Sequence, residues 1–503
     1  MKKSFVIHPF LFAIFPILFL FAYNIREVPY NEIVKPVAIV VSFSFVMWLL
    51  LIFVVSDKQK AGIITTIFLL LFFSYGHLLN AAKGLAVTGI GSIVLIWEIL
   101  FFIVVTYITV KTRRNLHNIT NFTNIVAISL ILINLINIGT YESISRANVS
   151  MEIRAKIANL REPDRRPDIY YIILDGYARA DVLRELYQYD NTKFLNNLIQ
   201  KGFYIANSSR ANYAQTALSL TSSLNLTYLD DLANRINAES DDREPLRNMI
   251  KENTVAKFLK QHGYTLAAFS SGVYGTEISK ADIYMSPKWS LSEFQNELIN
   301  FTPIPILLNV LPQRTQYDLH RDRILYILDH LADMTKLNIP VFVFAHILVP
   351  HPPFVFGENG ERVGSSMNFS LGDGSQIMDK DDYVESYKRQ LIFINKKIES
   401  IIDEIISNSP EPPIIILQAD HGPGSMLHWG KLDKIDFRER ISILNAYYLP
   451  NNGRKQLYNE ISPVNTFRII FNRYFGTNLE LLKDKSYFST WKQPYKFIDV
   501  TDK

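Results

Sequence analysis

The residues best placed for chemistry lie in PIIILQADHGPGS, Pro413 to Ser425. Ile414 to Gln418 read as a short buried strand, which runs out into Asp420 and His421 and then Gly422, Pro423 and Gly424. Open α/β sheets bind their ligands at the carboxyl ends of strands. An Asp beside a His offers one hard oxygen donor and one nitrogen donor, the start of a divalent metal site. The glycines let the backbone turn sharply past a bound group. A plain strand-to-loop turn with a surface Asp and a core His has the same spelling.

Three other stretches carry candidate groups. DIYYIILD, residues 168–175, is a second strand ending in an acid, Asp175, followed by Gly176. Two strand-end acids in one parallel sheet can converge on one ion. SSRANYAQTALSLTSSLN, residues 208–225, is dense in hydroxyls. Its apolar spacing turns helical from Gln215, which places Thr216 near a helix N-terminus, where free N–H groups favour an anion such as phosphate. A Thr hydroxyl is a poor nucleophile until a base or a metal lowers its pKa; the alternative is that Thr216 or a neighbour only caps the helix. In AHILVPHPPFVF, His346 ends a strand and His351 follows among prolines. Either could bind a metal or a substrate oxygen, and His351 is the preferred one. His428, in GSMLHWGK, is a further candidate for substrate or a second metal, whereas His262, His320 and His330 fall on helical stretches and read as surface or core residues.

The elements that must position these groups fill residues 168–503. Strand-like runs 168–175, 264–270, 340–347, 413–419 and 441–449 alternate with helical stretches such as 253–262, 321–337 and 383–408. That alternation implies a mostly parallel sheet with helices on both faces. Residues 357–380 read as a loop.

Residues 1–141 are different. Five apolar segments, Ser4–Tyr23, Pro36–Ser56, Ala61–Asn80, Gly89–Val110 and Phe122–Tyr141, are each long enough to span a bilayer, which takes roughly 20 residues. The fifth is interrupted by Asn124, Asn134 and Asn137. With the N-terminus inside, the inner loops hold Lys2, Lys3, Lys58, Lys60, Lys111, Arg113 and Arg114, against Arg26, Lys35 and Lys83 outside. This bias sets the orientation, and five spans put the remainder outside the cytoplasm. Glu98 within the fourth segment is either a functional acid or a partner of His77 or a backbone group. Residues 142–167 read as an interfacial linker, with Val149, Ile153, Ile157 and Leu160 at helical spacing.

Composition narrows the function. The net charge of +4 is spread along 503 residues, which does not suggest nucleic acid. The absence of cysteine excludes disulfides, thiolate metal sites, a cysteine nucleophile and a cysteine-derived formylglycine.

Together, Asp175, Thr216 in QTALSLTSSLN, His351 in PHPPF and Asp420–His421–Gly422 resemble the alkaline phosphatase and sulfatase superfamily. The order of five spans followed by such a domain is similar to the membrane-anchored bacterial lipoteichoic acid synthases and phosphoethanolamine transferases, as is SPVNTFRIIFNRYFG, residues 462–476. The resemblance implies an alkaline-phosphatase-like α/β/α sandwich after an N-terminal five-helix transmembrane bundle. It implies that Asp175, Asp420, His421 and the Thr216 oxygen hold a divalent metal (Mn, Zn or Mg), with His351 at the substrate and His346 or His428 near it. There are departures: Asp175 stands where those transferases have Glu, no Asp-x-x-x-His pair lies between Thr216 and Asp420, and no C/S-x-P-x-R motif surrounds Thr216. The last sets ordinary sulfate ester hydrolysis aside. The expected activity is phosphotransfer from a phospholipid donor to a cell-envelope glycan or glycolipid through a threonine intermediate. The alternatives are a phosphodiesterase, phosphatase or sulfatase-like hydrolase, and a non-catalytic envelope binding protein. The expected location is the bacterial cytoplasmic membrane, multi-pass, with the catalytic domain extracytoplasmic.

Overall fold

A computed structural model describes residues 5–25, 28, 30–82, 89–152, 166–273, 275–287, 293–308, 316–363, 369–374, 377–429 and 432–503. The chain divides into two compact units, 1–160 with 291–313, and 161–290 with 314–503.

The first unit holds α1 (His8–Tyr23), α2 (Asn31–Val55), α3 (Lys58–Ala82), α4 (Ile90–Lys111) and α5 (His117–Glu152). Four stretches, within α2 to α5, are long and apolar enough to cross a membrane. The first of the five expected spans differs: α1 has 16 residues, short of the roughly 20 that a hydrocarbon core needs. Asn124, which weakens the apolar run of α5, has a task at the start of α1. Its Oδ1 accepts from the His8 backbone N–H at 2.9 Å and its Nδ2 donates to the Phe5 carbonyl at 2.7 Å, satisfying groups that a helix start leaves open. Glu98 is buried with no hydrogen-bond partner for Oε1, and the His77 ring stacks on Phe301 instead, centroids 4.5 Å apart. Phe301 follows the short helix Glu293–Asn300, whose Phe294 and Leu298 share a core with Ile17, Phe21 and Phe73. The expected linker helix is continuous with α5 as far as Glu152; Ile153, Ile157 and Leu160 lie outside the described residues.

The second unit is built on a seven-stranded sheet in the order β2-β7-β6-β1-β5-β3-β4. The strands are β1 (Ile169–Leu174), β2 (Tyr204–Ile205), β3 (Thr265–Phe269), β4 (Ile283–Met285), β5 (Val341–Ile347), β6 (Ile414–Gln418) and β7 (Asn445–Tyr448). β6, β1, β5, β3 and β4 run parallel, and β7 and β2 add an antiparallel edge. The run 441–449 is strand only over 445–448, because the helix Phe437–Ile441 occupies its start. β1 is buried throughout. Its Tyr170, Ile172 and Leu174 enter one core with the helix Lys380–Asn408, while Ile169, Tyr171 and Ile173 enter a second core with the helices Thr216–Asn225 and Pro463–Tyr474. A strand covered on both faces must be apolar at every position, which is why DIYYIILD and PIIILQ stand out in the sequence.

Register places the chemistry. Ile173 pairs with Gln418 of β6 and His346 of β5. Asp175 and Asp420 each lie two residues beyond a matched pair, so they leave the sheet level with one another.

Candidate metal and phosphoryl site

Asp175, Asp420 and His421 are buried, and one ligand atom from each lies within 4.8 Å of the others. Gly176, at φ +71°, turns the chain after β1 so that its N–H donates to Asp420 Oδ1 at 3.2 Å. The positive φ suits glycine. Two carboxylate oxygens, Asp175 Oδ1 and Asp420 Oδ2, have no hydrogen-bond partner. They lie 3.6 and 3.3 Å from His421 Nε2. His421 Nδ1 is 2.9 Å from the Gly422 carbonyl, which can only accept, so Nδ1 carries the proton and Nε2 presents a lone pair. Burial and the Arg440 guanidinium lower the His421 pKa, which favours that neutral ring.

The fourth group comes from α6 (Thr216–Asn225). Thr216 is its first residue, and Thr216 Oγ1 lies 3.0 Å from His421 Nε2. One turn on, Ser219 Oγ donates to the Asp420 carbonyl at 2.7 Å, tying α6 to the DHG turn. Two buried carboxylate oxygens without a donor of their own are costly. A cation would remove that cost: donors about 2.0–2.2 Å from a tetrahedral ion lie about 3.3–3.6 Å apart, as the two carboxylate oxygens do from His421 Nε2, at 3.6 and 3.3 Å, while Thr216 Oγ1 is closer to it, at 3.0 Å. The donor set of two carboxylates, an imidazole and a hydroxyl fits a divalent ion, with oxygens suiting Mg or Mn and the imidazole suiting Zn.

Asp175 is held by its other oxygen. His346 Nε2 lies 3.0 Å from Asp175 Oδ2, and His346 Nδ1 lies 2.9 Å from Thr276 Oγ1. Both ring nitrogens are thereby engaged, and this geometry gives His346 the work of orienting Asp175. Burial alone would raise the Asp175 pKa, but His351, His346 and His421 outweigh it and hold the carboxyl well below its usual range. Burial would lower the His346 pKa, and the Asp175 carboxylate raises it above the ordinary value.

Beside this cluster lies a second one. The His351 backbone N–H donates to the Asp175 carbonyl at 3.1 Å, and the His351 ring centroid is 6.0 Å from that of His421. His351 Nε2 is 3.7 Å from Asp373 Oδ2. Arg440, fully buried, places Nη1 2.5 Å from the same Asp373 oxygen and Nη2 3.2 Å from His421 Nε2, while its Nε donates to the Ala214 carbonyl at 2.9 Å. Burial would raise the Asp373 pKa, yet His351 and Arg440 pull it down. Glu439 fixes the turn from below: its Oε1 accepts from Tyr187 Oη at 2.6 Å and its Oε2 from the Met426 N–H at 3.0 Å. A Cβ on Gly422 would lie 2.0 Å from the Glu439 carbonyl oxygen, so no other residue fits there.

The structure therefore brings together Asp175, Thr216, Asp420 and His421, with His346 behind Asp175 and His351 alongside. His428, half-buried in the turn that follows, is not in the metal-ligand group. Sequence reasoning missed Asp373, Arg440 and Glu439. Asp373 sits in the stretch 357–380 that reads as loop, and RER in residues 438–440 has the spelling of a solvated helix face; no motif marks either.

A doubly covered, mostly parallel sheet thus carries a buried Asp175, Asp420 and His421 cluster at its carboxyl edge, with the half-buried Thr216 beside it, an α/β fold with a candidate metal site. The sulfatase family model matches residues 167–467, and the chain belongs to that family, within the alkaline phosphatase and sulfatase superfamily. It is a sulfatase-like enzyme, and its described residues include four helices long and apolar enough to cross a membrane. No curated protein matches the chain. Among solved structures, it is similar to the zinc complex of the C-terminal periplasmic domain of EcEptC from Escherichia coli, at 14% identity over 68% of this chain and 95% of that one, TM-score 0.44. It is also similar to the integral membrane lipooligosaccharide phosphoethanolamine transferase A from Neisseria meningitidis, at 11% identity over 93% and 95%, TM-score 0.39. A third is the 2-O GAG sulfatase BT1596, at 13% identity over 66% and 74%, TM-score 0.41.

Proposed function

We propose that this protein is a metal-dependent phosphotransferase of the bacterial cytoplasmic membrane. It would move a phospho-headgroup from a lipid donor to a cell-envelope glycan or glycolipid through Thr216. The observation that carries this reading is the convergence of Asp175 Oδ1, Asp420 Oδ2 and His421 Nε2, none of the carboxylate atoms otherwise partnered, beside the Thr216 hydroxyl.

Asp175, Asp420, His421 and Thr216 would hold one divalent ion, and such an ion acts as a Lewis acid that lowers the pKa of the hydroxyl. Thr216 Oγ1 then attacks the phosphorus, and the bond from phosphorus to the diacylglycerol oxygen breaks. His351 gives a proton to that departing oxygen, and diacylglycerol stays in the bilayer. The Thr216 proton passes to solvent. In the second half, His351 takes the proton of an acceptor hydroxyl, whose oxygen displaces Thr216 from phosphorus, and Thr216 Oγ1 regains its proton from solvent. Arg440 and the N-terminus of α6 place positive charge where the phosphoryl oxygens gather theirs. His346 keeps Asp175 aimed.

The membrane placement rests on the apolar helices and on the Lys and Arg of the loops. With α1 counted as a span, five crossings would leave the catalytic unit extracytoplasmic; 142–167 would be the connection and 168–503 the catalytic domain.

The test is mass spectrometry of the Thr216 peptide after incubating the full-length protein with a phospholipid labelled in its headgroup. A labelled phospho-threonine that appears in the native protein and is absent from Thr216→Ala supports the reading. Release of a free soluble headgroup with no acceptor product would make the protein a phosphodiesterase. Absence of both adduct and turnover would leave a binding protein.

A further inference from the structure

Next to Thr216 lies a group of aromatic and cationic side chains that the transfer chemistry does not use. Gln215, the residue before Thr216, is buried, and its Nε2 donates to the Ser489 carbonyl at 3.0 Å and to the Thr490 carbonyl at 3.2 Å. That grip fixes the following residue, Trp491, which leaves 56% of its surface exposed. The Arg243 guanidinium lies over the Trp491 ring, 4.1 Å from the centroid, and Arg243 Nη2 donates to Gln215 Oε1 at 3.2 Å. Trp429 meets Trp491 edge to face at 5.8 Å, and its own ring carries the Arg440 guanidinium at 5.7 Å. The pair is thus bound to the site at both ends, through Gln215 to Thr216 and through Arg440 to His421.

An exposed, rigidly held Trp costs apolar hydration unless something covers it. The negative face of an indole accepts the C–H face of a pyranose. The surroundings are polar: Lys496 pairs with Glu239 at 3.2 Å, and Gln493 bonds to the same Glu239. That setting suits a sugar with its hydroxyls better than a lipid chain. The hydrogen bonds of Arg243 go to Gln215 and to the Asp241 and Trp491 carbonyls. None of these acceptors is a carboxylate; Arg247 lies near enough to repel the guanidinium and Asp241 near enough to attract it, so its charge is offset only in part, which favours an anionic ring.

We propose that Trp491, Trp429 and Arg243 form a glycan subsite that seats a pyranose of an anionic acceptor beside Thr216. The assignment of this sugar as the acceptor rests on the transferase reading above; the binding itself does not.

The experiment is isothermal titration of the full-length protein in detergent with hexagalacturonate and with maltohexaose. Saturable binding is expected, tighter for the anionic sugar. Trp491→Ala should weaken it about tenfold or more, Trp491→Phe should restore most of it, and Arg243→Ala should erase the preference for the anionic sugar. Thr216→Ala should bind as the native protein does. Absence of saturable binding to either sugar, or a Trp491→Ala protein that binds both as the native one does, overturns the proposal. So does a Trp491→Ala protein whose only loss is binding to phosphatidylglycerol vesicles, which would make the ring a membrane contact. The two readings fail separately: sugar binding through Trp491 without any Thr216 adduct sinks the transfer, and an adduct without sugar binding sinks the subsite.

Discussion

Replacing His346 by Ala should weaken metal binding without touching a ligand. His346 has no exposed surface, and its two nitrogens bridge Thr276 Oγ1 at 2.9 Å and Asp175 Oδ2 at 3.0 Å. With the imidazole gone, Asp175 Oδ2 joins Oδ1 as a buried oxygen without a donor, and the carboxylate is free to rotate. A hydrogen bond to a charged group contributes about 1.5–3 kcal/mol. At about 1.4 kcal/mol per decade that is about 10- to 100-fold in affinity, the range expected when the orienting partner of a metal ligand is lost. Titration with Mn and Zn against a competing chelator reads this directly. His346→Gln, which keeps a donor near the Nε2 position, should recover part of the loss, and Thr276→Val should show a smaller one. A folded His346→Ala protein that binds metal as tightly as the native protein would refute the reasoning, whatever its activity.

Three other outcomes follow from the packing. Arg440→Ala should destabilise by about 3–5 kcal/mol, because it strands the buried Asp373 carboxylate; chemical denaturation should also show that adding Asp373→Ala costs less than it does alone. Gly422→Ala should lower the melting temperature and the yield, since its Cβ would lie 2.0 Å from the Glu439 carbonyl oxygen; a native-like melting curve would show that the turn can shift. Asp168, which accepts the Val341 N–H at 3.0 Å, has its pKa raised by burial to about 6. A carboxyl raised in the folded state contributes stability below its unfolded pKa of about 4 and loses it as pH rises through about 6. Asp168→Asn should therefore stabilise the protein by about 1–2 kcal/mol at pH 8, after allowance for solvent screening, and by much less near pH 4, as melting curves at the two values will show.

How much of this was legible in the sequence depended on burial and on distance along the chain. β1 and β6 announced themselves because both faces are covered, and equal offsets from the paired residues put Asp175 and Asp420 side by side. Thr216 was visible because helical spacing begins there. Asp373 and Arg440 were not, since only tertiary contact between residues 67 apart turns a loop acid and a helix arginine into a buried pair. The same applies to Glu293–Asn300, whose polar spelling inside the catalytic half conceals its place among the membrane helices. Asn124 looked like a flaw in an apolar segment and proves to be the group that satisfies the start of α1.

Anomalous diffraction from crystals of the full-length protein grown with Mn, recorded on either side of its absorption edge, addresses the ion most directly. One peak is expected about 2.0–2.2 Å from Asp175 Oδ1, Asp420 Oδ2, His421 Nε2 and Thr216 Oγ1. No peak there, or one that the Thr216 hydroxyl does not reach, would contradict it.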